Sequence, residues 1–269
     1  MSAPDRAAPI GIFDSGLGGL TVADAIMRQL PGESLIYFGD TARVPYGPKS
    51  PETVRRYSRE IAAFLVEQGA KAIVVACNTA TAHALPALIE EFDVPVIGVV
   101  DPGARAAVRA TRSGHIGVIG TNGTIKSGAY VRAIHAEAPD VTVTAIACPL
   151  LVPLVEEGWT DHDATDLIAR EYLAPFLRDR IDTLVLGCTH YPLLKRIIGE
   201  IIGRQVRLID SAEETALDTR KMLVANDLVT AAPSGSYRFI ASDDPQHFMA
   251  LGQRFFGSAI ENVEIRTFG

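Results

Sequence analysis

Short apolar runs alternate with amphipathic stretches along almost the whole chain. Strands are predicted at residues 10–13, 34–38, 72–76, 96–99, 116–119, 141–145, 183–186 and 206–209, with helical spacing of apolar side chains between them. This alternation is the pattern of parallel sheets wrapped by helices. Several helices announce their ends: Ser50-Pro51 opens one over 52–68, Gly69 closes it, and Ser211 with Glu214 has the spacing of a capping box. Beyond that last helix the pattern gives a strand at 237–241, a helix at 245–256 and a strand-like end at 263–268.

The pattern also repeats. Ile10-Gly11-Ile12-Phe13, followed by an Asp14-Ser15-Gly16 turn, is echoed by Ile116-Gly117-Val118-Ile119 before Gly120-Thr121-Asn122-Gly123. Val74-Val75-Ala76-Cys77-Asn78-Thr79 is echoed at a nearly equal offset by Val185-Leu186-Gly187-Cys188-Thr189-His190. The expected fold is therefore α/β: two pseudo-symmetric doubly wound domains with mainly parallel sheets and the active site in the cleft between them. The Val100-Asp101-Pro102-Gly103 break divides the first domain, 1–98, from the second, 99–209. The tail, 210–269, fits neither repeat and most simply returns to the first domain.

Composition narrows the function. At 269 residues and 48% hydrophobic, the chain can bury a substantial core. A net charge of −7 with no basic run argues against nucleic acid. The N-terminal residues lack the apolar core of a signal peptide, and no run approaches the roughly 18 apolar residues of a membrane span. Three cysteines without a paired framework read as reduced thiols, so a cytoplasmic location is expected.

In parallel α/β sheets ligands bind beyond the carboxyl ends of the strands, and Asp14, Asp40, Cys77, Thr121 and Cys188 all fall there. The turn Asp14-Ser15-Gly16-Leu17-Gly18-Gly19 could hold an anion on its N–H groups, but it is not a dinucleotide fingerprint. Gly120-Thr121-Asn122-Gly123-Thr124 lacks the Walker spacing, and a small carboxylate fits it better than a nucleotide. Cys148, in Ala147-Cys148-Pro149, reads as a small buried hydrophobe. Cys77 and Cys188 differ from it, because each sits where a strand leads into a loop and each is followed by hydrogen-bonding residues.

A thiol with a pKa of about 8.5 is mostly protonated at neutral pH, so a base or a positive dipole must help form the thiolate. Asp14 is the candidate helper of Cys77, and His190 that of Cys188, with Glu156 or Glu157 as the carboxylate that orients the histidine. Each has a plainer reading: Asp14 as a helix cap, His190 as a core histidine, the glutamates as a solvated face. A metal centre is not indicated, since Cys188 and His190 have no second ligand pair at zinc-like spacing. Lys126 is the lysine best placed for a Schiff base, yet nothing else asks for pyridoxal phosphate.

Taken together these motifs resemble the glutamate racemase family, which uses no cofactor. The resemblance rests on Gly11-Ile12-Phe13-Asp14-Ser15-Gly16-Leu17-Gly18-Gly19, Gly39-Asp40-Thr41, Pro45-Tyr46-Gly47, Ala76-Cys77-Asn78-Thr79-Ala80, Gly117-Val118-Ile119-Gly120-Thr121 with Thr124, and Leu186-Gly187-Cys188-Thr189-His190-Tyr191-Pro192. It implies interconversion of L- and D-glutamate by two cysteines facing opposite sides of the α-carbon. Cys188 would act on L-glutamate and Cys77 on D-glutamate, with Asp14 beside Cys77 and with Glu156 and His190 serving Cys188. Substrate contacts are implied at Asp14, Ser15, Asp40, Tyr46, Gly47, Asn78, Thr79, Thr121, Thr124, Thr189 and His190. The resemblance further implies a homodimer and a role in supplying D-glutamate for bacterial peptidoglycan.

Three other readings compete. A racemase of aspartate or hydantoin, or a maleate isomerase, would keep the paired cysteines and change the substrate; the Cys-Thr-His-Tyr-Pro run with Tyr46-Gly47 favours glutamate. A non-catalytic binding protein for small carboxylates would leave the cysteines as core residues. A cysteine hydrolase built on Cys188 and His190, two apart on an extended strand end, would leave Cys77 idle.

Overall fold

The structure, a computed structural model, describes residues 5–256, 260 and 262–268. In chain order its strands are β1 (Ile10–Asp14), β2 (Leu35–Gly39), β3 (Ala72–Val75), β4 (Val96–Gly98), β5 (His115–Gly120), β6 (Thr142–Ala147), β7 (Thr183–Gly187), β8 (Arg207–Ile209), β9 (Tyr237–Ala241) and β10 (Glu264–Ile265). The helices are α1 (Leu20–Gln29), α2 (Pro51–Glu67), α3 (Asn78–Glu91), α4 (Val100–Ala110), α5 (Asn122–Ser127), α6 (Ala129–Glu137), α7 (Leu151–Glu156), α8 (Asp163–Asp179), α9 (Lys195–Ile202), α10 (Ala212–Ala225) and α11 (Pro245–Phe256). Short 3₁₀ turns lie at Thr41–Arg43 and Tyr191–Leu194. Among the described residues, no helix is long and apolar enough to cross a membrane.

The chain forms two compact units, one from the residues up to Val99 and from Ala212 onward, the other from Val100–Ser211. The first holds a six-stranded sheet in the order β10-β9-β2-β1-β3-β4, the second a four-stranded sheet in the order β6-β5-β7-β8. Among the described residues every strand pair is parallel. The order β2-β1-β3-β4 recurs as β6-β5-β7-β8, so the internal repeat of the sequence is a repeat of topology, and β3 and β7 are equivalent strands.

Residues of β1, β2 and β3 are buried at every position, as strands covered on both faces must be. Phe13, Ile36, Phe38, Ile73 and Val75 pack with Ile61, Leu65 and Ala84 of α2 and α3. The opposite face turns Tyr37 toward Phe239 and Phe248. Helix α2 starts where its sequence says: Ser50 Oγ accepts the Thr53 N–H at 3.3 Å and Pro51 takes the first position. At its end Gly69, with φ of 83°, continues into a left-handed turn that favours glycine.

The strand-like end at 263–268 pairs only over Glu264–Ile265. Phe268 instead packs against Phe38 and Phe64, with ring centroids 5.4 and 6.2 Å apart, so aromatic burial takes the chain off the ladder.

The starts of β1, β2 and β3 are tied by a buried ion pair. Lys71 Nζ donates to Glu33 Oε2 at 2.5 Å and to the Arg6 carbonyl at 2.6 Å, while Glu33 Oε1 accepts the Thr230 N–H at 2.9 Å. Both side chains are almost fully buried. Lys71→Met leaves the Glu33 charge unpaired and is expected to cost about 3–5 kcal/mol. The urea midpoint of the variant measures this; a loss below about 1 kcal/mol would show that the pair does not anchor the sheet.

Candidate active site

At the other end of these strands, Cys77 follows β3 and is the N-cap of α3. The position normally falls to Ser, Thr, Asp or Asn, whose side chain accepts a backbone N–H. Here the sulfur does so, with the Ala80 N–H 3.5 Å from Sγ. A thiol at this place feels the positive end of the helix dipole, which favours its anion. Cys77 Sγ also lies 3.6 Å from Ser15 Oγ, to which the thiol can donate. Asn78 and Thr79, the first helical residues after it, are buried.

Ser15 belongs to the turn that follows β1. Asp14, fully buried, accepts the Gly16 N–H on Oδ2 at 2.9 Å. It closes its own turn and does not cap α1, whose N-cap is Gly19 without any side-chain cap. Asp14 and Cys77 both stand near the Tyr37 hydroxyl; burial first, and then these two groups, push its ionisation well above the usual range.

The loop after β2 is organised from within. Tyr46 donates its hydroxyl to Asp40 Oδ2, Ser242 Oγ donates to Oδ1 at 2.9 Å, and Arg43 Nε lies 2.8 Å from Oδ2. Burial, followed by the Asp40 charge, raises the Tyr46 hydroxyl far above its ordinary value. The side chains of Asp40 and Tyr46 are thus bonded to each other, and Gly47 is buried beside them. Ser242, whose hydroxyl completes this cluster, comes from the chain after β9, and no local pattern could have found it.

In the second unit Cys188 follows β7. The chain does not stay extended as the sequence suggested: Cys188-Thr189-His190 turns directly into the 3₁₀ segment, with Tyr191 N–H bonded to the Cys188 carbonyl at 3.1 Å. This turn brings His190 Nδ1 within 3.8 Å of Cys188 Sγ. The other ring nitrogen, Nε2, lies 3.1 Å from Glu156 Oε1 at the end of α7. Glu157 is exposed, so of the two glutamates it is Glu156 that meets the histidine.

Burial alone would lower the His190 pKa. Hydrogen bonds to Cys188 and Glu156 outweigh it, together with their charges, and the imidazole is pushed up to about 10. The two flanking groups therefore favour an imidazolium at neutral pH.

Thr121 and Thr124 follow β5 and bond to each other, Oγ1 to Oγ1, at 3.1 Å, with Thr121 capping α5 through the Thr124 N–H. Thr189, like them, is buried. Cys148 is buried, and burial with the nearby Cys188 charge pushes its thiol up to about 12, so it stays neutral. Its carbonyl accepts the Tyr191 hydroxyl at 2.9 Å. Lys126 is exposed. Among the described residues no group of three or more His, Cys, Asp or Glu could hold a metal ion.

Two strand ends thus each present a thiol, and each thiol has its own device for carrying negative charge. Residues 10–218 match the model of the Asp/Glu/hydantoin racemase family. A glutamate racemase of Geobacter metallireducens is 56% identical over 255 residues, covering 94% of each chain. A glutamate racemase isoform from Bacillus anthracis superposes with a TM-score of 0.93 at 42% identity, covering 98% of each chain. Glutamate racemase from Francisella tularensis, in complex with D-glutamate, gives a TM-score of 0.92 at 38% identity, covering 97% of this chain and 98% of that one. On this likeness over nearly its whole length, the chain belongs to the glutamate racemase family.

Proposed function

We propose that this chain interconverts L- and D-glutamate by proton transfer at the α-carbon, with Cys77 and Cys188 as the two transferring groups and no cofactor. The observation that carries the reading is the pair of equivalent strand ends, each with a buried cysteine and a local charge device. In the L-to-D direction the Cys188 thiolate takes the α-proton and becomes a thiol. The Cys77 thiol then delivers its own proton to the opposite face of the planar carbanion and becomes the thiolate. The D-to-L direction is the reverse, as microscopic reversibility requires.

Roles for the other residues follow from their surroundings. His190, held charged by Glu156, balances the Cys188 thiolate. Asp14 and Ser15 serve Cys77. Donors for the two substrate carboxylates come from Ser15, Asn78, Thr79, Thr121, Thr124, Thr189 and His190, and from the backbone of Tyr46 and Gly47. Asp40 and Tyr46 contribute by fixing their loop. No pyridoxal ring delocalises the carbanion, so these donors must stabilise the charge that develops on the α-carboxylate; removing one such donor typically costs about 3–4 kcal/mol. The product supplies peptidoglycan synthesis, and the assembly in this reading is a homodimer, which sedimentation at a monomer mass would remove from it.

In D2O, with metal-free and pyridoxal-free protein, L-glutamate is expected to lose optical rotation, and the first D-glutamate formed should already carry deuterium at the α-carbon. Retention of both rotation and the α-proton, with binding confirmed, would instead support a carboxylate-binding protein. Cys77→Ser and Cys188→Ser should each abolish racemisation while retaining glutamate binding by calorimetry; full activity in either variant would sink the two-thiol reading.

Glu156→Gln removes the anion that helps keep His190 protonated. The His190 pKa, raised in the native protein, must then fall, so the imidazolium is lost at a lower pH than about 10. The nitrogen NMR titration of His190 should move to lower pH and turnover at neutral pH should drop roughly 10²-fold, the low end of general acid–base contributions. An unmoved titration would show that Glu156 does not govern the histidine.

A further inference from the structure

Tyr37 lies in the middle of β2, is 1% exposed, and by its strand position reads as a core aromatic. Its ring does pack against Phe248, edge to face, with centroids 6.0 Å apart. Its hydroxyl, however, is aimed at the turn after β1. It donates to the Gly16 carbonyl at 2.9 Å.

The hydrogen bond of this hydroxyl falls on the segment that carries Asp14 and Ser15. Gly16 N–H closes on Asp14 Oδ2, and Ser15 Oγ sits 3.6 Å from Cys77 Sγ. The next residue on the same face of β2, Gly39, is paired with Asp14 and completes the fit: an added Cβ there would stand 2.5 Å from the Gly16 carbonyl oxygen. On the far side, a Cβ at Gly19 would stand 2.6 Å from Asp14 Cβ and 2.9 Å from Ala76 Cβ. The turn is therefore fixed by close contact on both sides and by the hydrogen bond from Tyr37 to the Gly16 carbonyl.

Resting on the two-thiol reading, we propose that Tyr37 is a positioning residue for Cys77, holding the turn after β1 so that Ser15 stays in contact with the Cys77 sulfur. It touches neither substrate nor sulfur in this role. Because burial keeps its hydroxyl protonated, the hold does not titrate across the working range.

The test reads the thiols one at a time. Iodoacetamide alkylation is followed against pH for Cys77 in a Cys148→Ala/Cys188→Ala background and for Cys188 in a Cys77→Ala/Cys148→Ala background, each with and without Tyr37→Phe. With the turn loosened, the Cys77 thiolate loses a hydrogen bond that Ser15 can donate. Its alkylation at neutral pH should slow by about tenfold, with its midpoint moved to higher pH, while Cys188 is unchanged. Unchanged Cys77 reactivity, or equal slowing of both thiols, would overturn the proposal, because a tyrosine that only fills the core has no reason to act on one of them. If circular dichroism shows that Tyr37→Phe does not fold, Gly39→Ala, which pushes the same carbonyl, is judged by the same criteria. Absence of racemisation by the unmodified protein would sink the two-thiol reading and leave this measurement intact.

Discussion

A thiol that must shed and regain a proton near neutral pH, in a place from which water is largely excluded, needs a compensating charge built into the protein. Cys77 and Cys188 are 5% and 6% exposed, so bulk solvent does little to stabilise charge on either residue. Burial disfavours a thiolate, and Cys148 shows what burial does without a compensating group: its thiol is held neutral. The other two cysteines differ from Cys148 in their partners rather than in their depth. In the proposed reaction each therefore depends on fixed partial or full positive charge delivered by the fold.

The repeated topology delivers that charge in two ways. After β3 the chain goes straight into α3, so Cys77 caps the helix and takes its compensation from backbone N–H groups. After β7 the chain makes a turn and a 3₁₀ segment before α9, no long helix starts at Cys188, and a side chain must stand in. His190 does this, backed by Glu156 from the connection that follows β6. The corresponding connection after β2 carries the Asp40 and Tyr46 pair, which braces its loop. The connection after the equivalent strand thus holds a carboxylate in both units, Asp40 directly after β2 and fixing its loop, Glu156 at the end of α7 and bonded to a histidine.

Much of this was legible in the sequence, because parallel strands write themselves as apolar runs and their carboxyl ends mark the site. The strand at 237–241 and the helix at 245–256 match β9 and α11 residue for residue. The arrangement of helper groups was less visible. A helix as short as α7 has too little periodicity to say whether Glu156 or Glu157 points inward. The Cys188 and His190 contact was expected from an extended backbone and arises from a turn, since a residue entering a 3₁₀ segment no longer follows the strand's alternation. The bond from Ser242 to Asp40 spans 202 positions of sequence, and a strand tyrosine such as Tyr37 carries no local mark that its hydroxyl serves a different loop.

That the two thiols are served by unlike devices is a consequence of chirality as much as of ancestry. The substrate and product are mirror images, but a chain of L-residues cannot surround them with mirror-image groups, so one thiol's environment can never be the reflection of the other's. The equilibrium constant between enantiomers is unity, and it forces kcat/KM to be equal in the two directions whatever the site looks like. The difference between a helix-capped thiol and a histidine-paired thiol therefore cannot bias the reaction. It can only distribute the common barrier differently between binding and turnover, so that kcat and KM move together when L- and D-glutamate are compared. Two similar but unequal thiol environments are compatible with an unbiased reaction for this reason.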